Sequence, residues 1–184
     1  MKILIFGASG TGKTTLAKEI AKHTDFIHLD SDDFYWKKTT PPFQKKIPLP
    51  ERNQNLKAAF DLHENVIISG SLVSWGKQWK SLFDLIVFIY LNNEEQMNRL
   101  IQREKERYGT LLSHDKNTQE HSKAFLSWAN QYENPDFDGR TLKVHLQWID
   151  RLNCKVIKIR GEIPLKEKIK TITSEINKRR FNPL

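Results

Sequence analysis

Cysteine is almost missing from this chain: Cys154 is the single one in 184 residues. One thiol excludes an internal disulfide and a cysteine-rich zinc site, and it reads as a small buried hydrophobe. Glycine and proline are scarce as well, at 8 and 7, which excludes a collagen-like or low-complexity chain. Long apolar runs are absent. The longest, Leu85–Leu91, falls far short of the roughly 20 residues a membrane-spanning helix needs. Met1–Phe6 is too short for the apolar region of a signal peptide. A cytoplasmic location without membrane contact is therefore expected. The six histidines show no metal-ligand spacing.

Acidic residues are the minority sign, 22 against 30 basic, for a net charge of +8. The deficit is local. Residues 1–139 hold 18 basic and 18 acidic side chains, whereas residues 140–184 hold 12 and 4. Because these basic residues are scattered among apolar ones, they read as the solvated faces of a last strand and helix, or as part of a funnel for an anionic substrate. A nucleic-acid partner is the alternative reading.

What remains is an ordinary folded chain, 38% hydrophobic and 28% charged, sized for a single domain over residues 1–184. Short apolar runs at Ile3–Phe6, Phe26–Asp30, Val66–Ser69 and Leu85–Leu91 read as buried strands, and Lys155–Ile159 alternates as a fifth. Helical spacing recurs over Lys13–Lys22, Glu51–His63, Glu94–Tyr108, Gln119–Tyr132, Gly139–Leu152 and Leu165–Lys178. Strands alternating with helices predict an α/β fold: a parallel sheet covered by helices on both faces, with ligands beyond the carboxyl ends of the strands.

The first strand runs into Gly7-Ala8-Ser9-Gly10-Thr11-Gly12-Lys13-Thr14, and a helix follows. This is the G-x-x-x-x-G-K-[ST] pattern in its required setting. Its four fixed positions match by chance in about one such chain in a hundred or fewer. Gly7, Gly10 and Gly12 let the backbone curl close around phosphates. The amides of Ala8, Ser9, Thr11 and Thr15 join the positive end of the helix in facing them. Lys13 reaches the outer phosphates as a point charge, and the Thr14 hydroxyl is a ligand for Mg²⁺. ATP and Mg²⁺ are the implied cofactors, since the Asn-Lys-x-Asp pattern of guanine-specific proteins is lacking.

Leu29-Asp30-Ser31-Asp32-Asp33 closes the second strand. In extended chain, residues two apart share a face, so Asp30 and Asp32 are expected to point together and Asp33 away. One carboxylate would hold Mg²⁺ and the other would accept a proton from an acceptor hydroxyl. An acidic cap or turn is the competing reading.

Taken together, Gly7–Thr14 and Asp30-Ser31-Asp32 resemble the P-loop small-molecule kinases, a superfamily that includes adenylate, shikimate and gluconate kinases. Asp32-Asp33-Phe34-Tyr35 also resembles the acidic-aromatic segment of uridine and nicotinamide riboside kinases. The layout is similar to bacterial proteins labelled adenylate-kinase-like or topology-modulation-like. The resemblance implies a five-stranded parallel sheet in the order 2-3-1-4-5 and phosphoryl transfer to a small-molecule acceptor. It implies Asp32 as catalytic base and Asp30 near the metal. One departure stands out: Ser69-Gly70-Ser71 occupies the place where many nucleotide kinases carry an aspartate before the glycine. A nucleotide-binding regulatory or nucleic-acid-associated ATPase remains the alternative function.

Arg99, Arg103 and Arg107 recur every four residues and form one stripe beside inward Met97, Leu100 and Ile101. The resemblance implies that such arginines clamp the transferring phosphoryl group and that a lid follows, here residues 108–119. A solvated face paired to Glu95, Glu104 and Glu106 is the plainer reading. An acceptor-binding loop is expected over residues 34–52, with Phe34, Tyr35, Trp36, Arg52, Trp75 and Trp79 as candidates. In the resembling kinases the loop Arg160–Pro164 would lie against adenine.

Overall fold

The structure, a computed structural model, describes residues 1–181. Five strands form one sheet: β1 (Lys2–Gly7), β2 (Ile27–Asp30), β3 (Val66–Ser69), β4 (Leu85–Tyr90) and β5 (Lys155–Arg160). Their order is β2-β3-β1-β4-β5, and every pairing is parallel. The three central strands are buried on both faces, which explains their unbroken apolar runs.

Alternation along each strand still sorts side chains into two layers. On one side Leu4, Phe6, Ile68, Ile86 and Phe88 pack with Leu56 and Phe60 of α3 (Leu49–Asp61), Trp148 of α7 (Leu142–Ile149), and Trp75 and Trp79. On the other, Ile3, Ile5, Val87 and Ile89 meet α1 (Lys13–Lys22) and α8 (Leu165–Phe181). The register sets Ser69 opposite both Ile5 and Asp30. The carboxyl ends of β1, β2 and β3 therefore open onto one edge of the sheet.

Three segments differ from the sequence expectation. A short helix, α2 (Ser31–Tyr35), begins directly at the end of β2. Residues 108–119 are mostly helical rather than irregular: α4 (Asn93–Tyr108) is followed by α5 (Leu111–His114) and α6 (Lys116–Asn130). On α4 the inward stripe is Gln96, Leu100, Glu104 and Tyr108, and Ile101 is exposed. Tertiary contacts with α6 and the cleft select that face, and they tolerate polar groups there. Cys154 is half-buried, and burial pushes its thiol pKa up. Among the described residues no helix is long and apolar enough to cross a membrane.

Candidate active site

The phosphate cradle follows from tight packing of β1 against β4. At Gly7, φ is 151°, and a Cβ would fall 2.1 Å from the Ile89 carbonyl oxygen, so no side chain fits where the loop leaves the strand. The Thr11 hydroxyl, fully buried, donates to the Ala8 carbonyl at 3.0 Å and closes the loop. Gly12 caps α1 in the left-handed region without a side-chain hydrogen bond, and the first turn holds no acidic residue. The first amides of α1 are thus left for an anion. Lys13 Nζ donates to Ala8 O at 2.5 Å. Burial, with the positive charge of Arg140 next in weight, lowers the Lys13 pKa to about 8, against the opposing pull of Asp32.

Asp30 and Asp32 come together, but not as two residues of one extended strand. The chain turns into α2 at Ser31, and Asp30 becomes its N-cap, accepting from the Asp32 amide at 3.1 Å through Oδ1. The other oxygen, Oδ2, accepts from the Thr14 hydroxyl at 2.8 Å. The cap and the cradle contact therefore coexist in one carboxylate. Gly70 allows this: a Cβ there would lie 1.7 Å from Ser31 Oγ, so only glycine lets α2 start against the end of β3. Ser69, where an aspartate was absent from the sequence, extends the polar group. Its hydroxyl lies 2.9 Å from His28 Nε2 and 3.4 Å from Thr14 Oγ1. Burial depresses the His28 pKa, against the pull of Asp30.

Solvent reaches Asp32, yet the surrounding protein is close enough for desolvation to raise its pKa. The neighbouring Asp30 charge pushes the same way, and Lys13, Arg140 and Arg103 pull against both. Two carboxylates, Asp30 and Asp32, and three cations thus share one electrostatic neighbourhood.

The three arginines of α4 diverge. Arg103 feels the charge of Asp32, lies 5.6 Å from the Phe125 ring centroid, and has a buried Nε without a partner. Burial lowers its pKa, with Arg107 adding to the effect. Arg107 bonds Glu104 at 3.1 Å and covers the Phe43 ring at 4.4 Å. Arg99 is held at the exposed surface by Glu162 at 2.6 Å, a residue of the 160–164 loop. Each four-residue step rotates the side chain by some 40° around a helix of about 3.6 residues per turn, and over two steps that drift separates Arg99 from the cleft.

Arg140 was visible in the sequence as one more member of the basic excess after residue 139. The structure brings its charge within the field of Asp32, without an ion pair between them, and sets its guanidinium 4.9 Å from the Trp128 ring centroid. Burial lowers its pKa while Asp32, Tyr35 and Tyr132 oppose that. It directly precedes Thr141, the N-cap of α7, whose hydroxyl accepts from Val144 N at 3.3 Å. Behind it lies a buried relay. Ser71 Oγ is 3.0 Å from His145 Nε2, and the Tyr132 hydroxyl is 2.7 Å from His145 Nδ1. Burial, helped by Arg140 and Lys13, holds the His145 pKa well below the usual range. This relay ties α7, the end of α6 and the exit of β3 into one rigid back wall. The only sequence signal for Arg140 was its position between Asp138-Gly139 and a capping threonine.

Of the acceptor candidates, Phe34 and Tyr35 lie in α2 and Arg52 in α3. Residues 34 and 35 end α2, residues 49–52 start α3, and the intervening loop is pinned by an antiparallel bridge between Trp36 and Lys46. Phe43 takes a φ of 66° there, and its ring sits edge-on to Trp36 beneath Arg107. Trp75 and Trp79 are buried core residues, whereas Tyr35 and Trp36 are half-buried.

A family model described as an AAA domain matches residues 3–123. The uncharacterized protein YqaC of Bacillus subtilis is 36% identical over 167 residues, covering 91% of this chain and 92% of its own length. Among solved structures, shikimate kinase from Bacteroides thetaiotaomicron aligns with a TM-score of 0.56 at 17% identity, over 96% of this chain and 98% of that one. Shikimate kinase from Acinetobacter baumannii, solved in complex with shikimate, gives 0.57 at 16%, over 98% and 95%. Deoxyadenosine kinase from M. mycoides, with bound dATP, gives 0.58 at 16%, over 96% and 100%. At such identities the likeness is one of fold.

Proposed function

We propose that this chain, which belongs to the AAA-domain family and has a P-loop kinase-like fold, transfers the terminal phosphoryl group of ATP to a small-molecule acceptor. The observation that carries this reading is the placement of Asp32. Its carboxylate stands in the field of Lys13, Arg103 and Arg140, one residue past the start of a helix whose cap is bonded to the cradle threonine. A carboxylate there serves to accept a proton from, or orient, a hydroxyl that attacks the phosphorus.

Residues Gly7–Thr15 would wrap the donor phosphates, with Lys13 against the outer ones. Thr14 and Asp30 would hold Mg²⁺. Their hydroxyl and carboxylate oxygens, 2.8 Å apart, are the hard donors this ion takes, with water and phosphate completing its shell. When bound, the ion would offset charge on the phosphate oxygens. Arg103 and Arg140 carry permanent, planar charge to the space above Asp32, where the transferring group gathers negative charge. Arg107 would draw the 36–47 loop over the cleft through Phe43 and exclude water, the competing acceptor.

The test is ADP formation by the full chain with Mg²⁺ and ATP, alone and with pooled nucleosides, nucleotides, shikimate and sugar acids. Stimulation by one acceptor, with a phosphorylated product, supports the kinase. Stimulation by DNA or RNA alone, falling steeply with salt, would replace it with a nucleic-acid-associated ATPase.

A further inference from the structure

Ser69, fully buried, ends β3 and stands opposite Asp30 in the parallel register, while His28 stands opposite Ile67. Residues two apart on a strand share a face, and Ile67 packs with Leu16 and Ala17 of α1. His28, Asp30 and Ser69 therefore all face α1, whose first turn carries Thr14. The four side chains form one line. His28 Nε2 lies 2.9 Å from Ser69 Oγ, Ser69 Oγ lies 3.4 Å from Thr14 Oγ1, and Thr14 Oγ1 donates to Asp30 Oδ2 at 2.8 Å. Phosphoryl transfer as proposed uses Thr14 and Asp30 and leaves Ser69 and the half-buried His28 without a task.

A hydroxyl has one proton and two lone pairs. The Ser69–Thr14 distance of 3.4 Å is well beyond the usual separation of about 2.7–2.8 Å for two hydroxyls, so the firm contact of Ser69 is the one to His28. Two arrangements satisfy it. Either Nε2–H donates and the Ser69 proton is left aimed at the cradle, or Ser69 donates and turns its lone pairs there. A hydrated cation separates the two. Mg²⁺ usually keeps several waters, and a water bound to a cation points its hydrogens outward, so its neighbours must accept. A carboxylate at position 69 would also accept, but as a third acid beside Asp30 and Asp32. Asp30 already raises the Asp32 pKa, and close like charges oppose ionisation. A serine whose proton is taken by an imidazole offers lone pairs without adding charge.

We propose that His28 is a positioning residue: its unprotonated Nε2 accepts the Ser69 proton, so that Ser69 Oγ faces the Thr14–Asp30 pair as a pure acceptor and holds a water of bound Mg²⁺. Outer partners of this kind orient the groups bound to a metal and tune its affinity. The proposal rests on the phosphotransferase reading for the presence of Mg²⁺–ATP, but the hydrogen bond itself is tested in the metal-free chain.

Long-range ¹H–¹⁵N spectra of the ¹⁵N-labelled full chain at neutral pH, without metal or nucleotide, read the tautomer, with His28 assigned by its loss in His28→Phe. A ring protonated at Nδ1 and bare at Nε2 is expected, and a proton on Nε2 overturns the proposal. Calorimetry then compares the dissociation constant of a non-hydrolysable ATP analogue in Mg²⁺ with that in EDTA. In His28→Phe the tightening by Mg²⁺ should fall about tenfold or more, the range for loss of an outer partner at a metal site, while the affinity in EDTA holds. A packing role would move both constants together. In His28→Gln, whose side-chain carbonyl can take the Ser69 proton, most of the tightening should return. Full tightening in His28→Phe, or equal loss in both variants, overturns the proposal. Should His28→Phe fail to fold, His28→Gln serves for assignment and Ser69→Ala should show the same loss of tightening; its absence there is equally fatal. A wild type whose affinity ignores Mg²⁺ overturns the parent reading and this proposal with it, whereas a wild type that responds, matched by its variants, overturns this proposal alone.

Discussion

The half of the site expected to hold phosphates is made of consecutive residues, Gly7–Thr15, while the half proposed for the acceptor draws on Asp32, Tyr35, Arg52, Trp75 and Arg140 from four separate segments. In the first, backbone amides would do the binding, and a strand, a loop and a helix N-terminus suffice to aim them. In the second, side chains would do the binding, and hydrogen bonds around them set their places: Asp32 through the cap at Asp30, Trp75 through Asn53, and Arg140 through the helix cap at Thr141 beside it. A local motif is robust to what surrounds it. An assembled wall can be retuned one residue at a time, which is how one fold serves several acceptors.

Breaking the local half should have the largest effect. Lys13→Ala is expected to lower kcat/KM for ATP by about a thousandfold or more, in line with loss of a charged phosphate contact. Coupled ADP assays measure it, and a loss under about tenfold would detach the cradle from the chemistry. Asp32→Asn should come next, with kcat reduced about a hundredfold or more and the Mg²⁺–ATP dissociation constant nearly unchanged by calorimetry. Equal losses in both would move Asp32 into the nucleotide-binding half.

The coupling between halves can be read from pH. Activity should rise as Asp32 loses its proton, at a pH above the ordinary carboxylate range because burial and Asp30 raise its pKa. It should fall again as Lys13 loses its proton at about 8. Bound triphosphate favours the charged ammonium, so the basic limb of kcat should lie above that of kcat/KM. Arg140 is one of the groups that lower the Lys13 pKa. Arg140→Met is therefore expected to move the basic limb of kcat/KM upward while reducing kcat about tenfold or more. A limb that stays in place would mean the two walls titrate independently. The smallest effect belongs to Arg99→Ala. Its pairing with Glu162 is exposed, so unfolding by denaturant should shift by no more than about 0.5 kcal/mol and kcat should hold.

Much of this was legible beforehand. Apolar runs and helical spacing placed all five strands and most helices, and the cradle announced itself through glycine spacing. The geometry between Asp30 and Asp32 was not legible. An extended chain and a strand ending in a cap both bring two carboxylates near the cradle, and Asp-Ser-Asp-Asp suits either. The α4 arginines looked equivalent because spacing carries no information about which face a neighbouring helix will cover. Arg140 carried little signal beyond its place before a capping threonine, since an arginine counts the same in a charge sum whether it is solvated or stacked on Trp128.

The linear chain by itself determined the parallel sheet and the phosphate cradle, because hydrophobic periodicity and backbone freedom at glycine act between near neighbours. Tertiary structure alone decided which cations surround Asp32, that Glu162 draws Arg99 aside, and that Arg52 is buried against Tyr35 and Trp75. Those outcomes depend on desolvation and on charges from distant segments, and both come into being only when the segments pack.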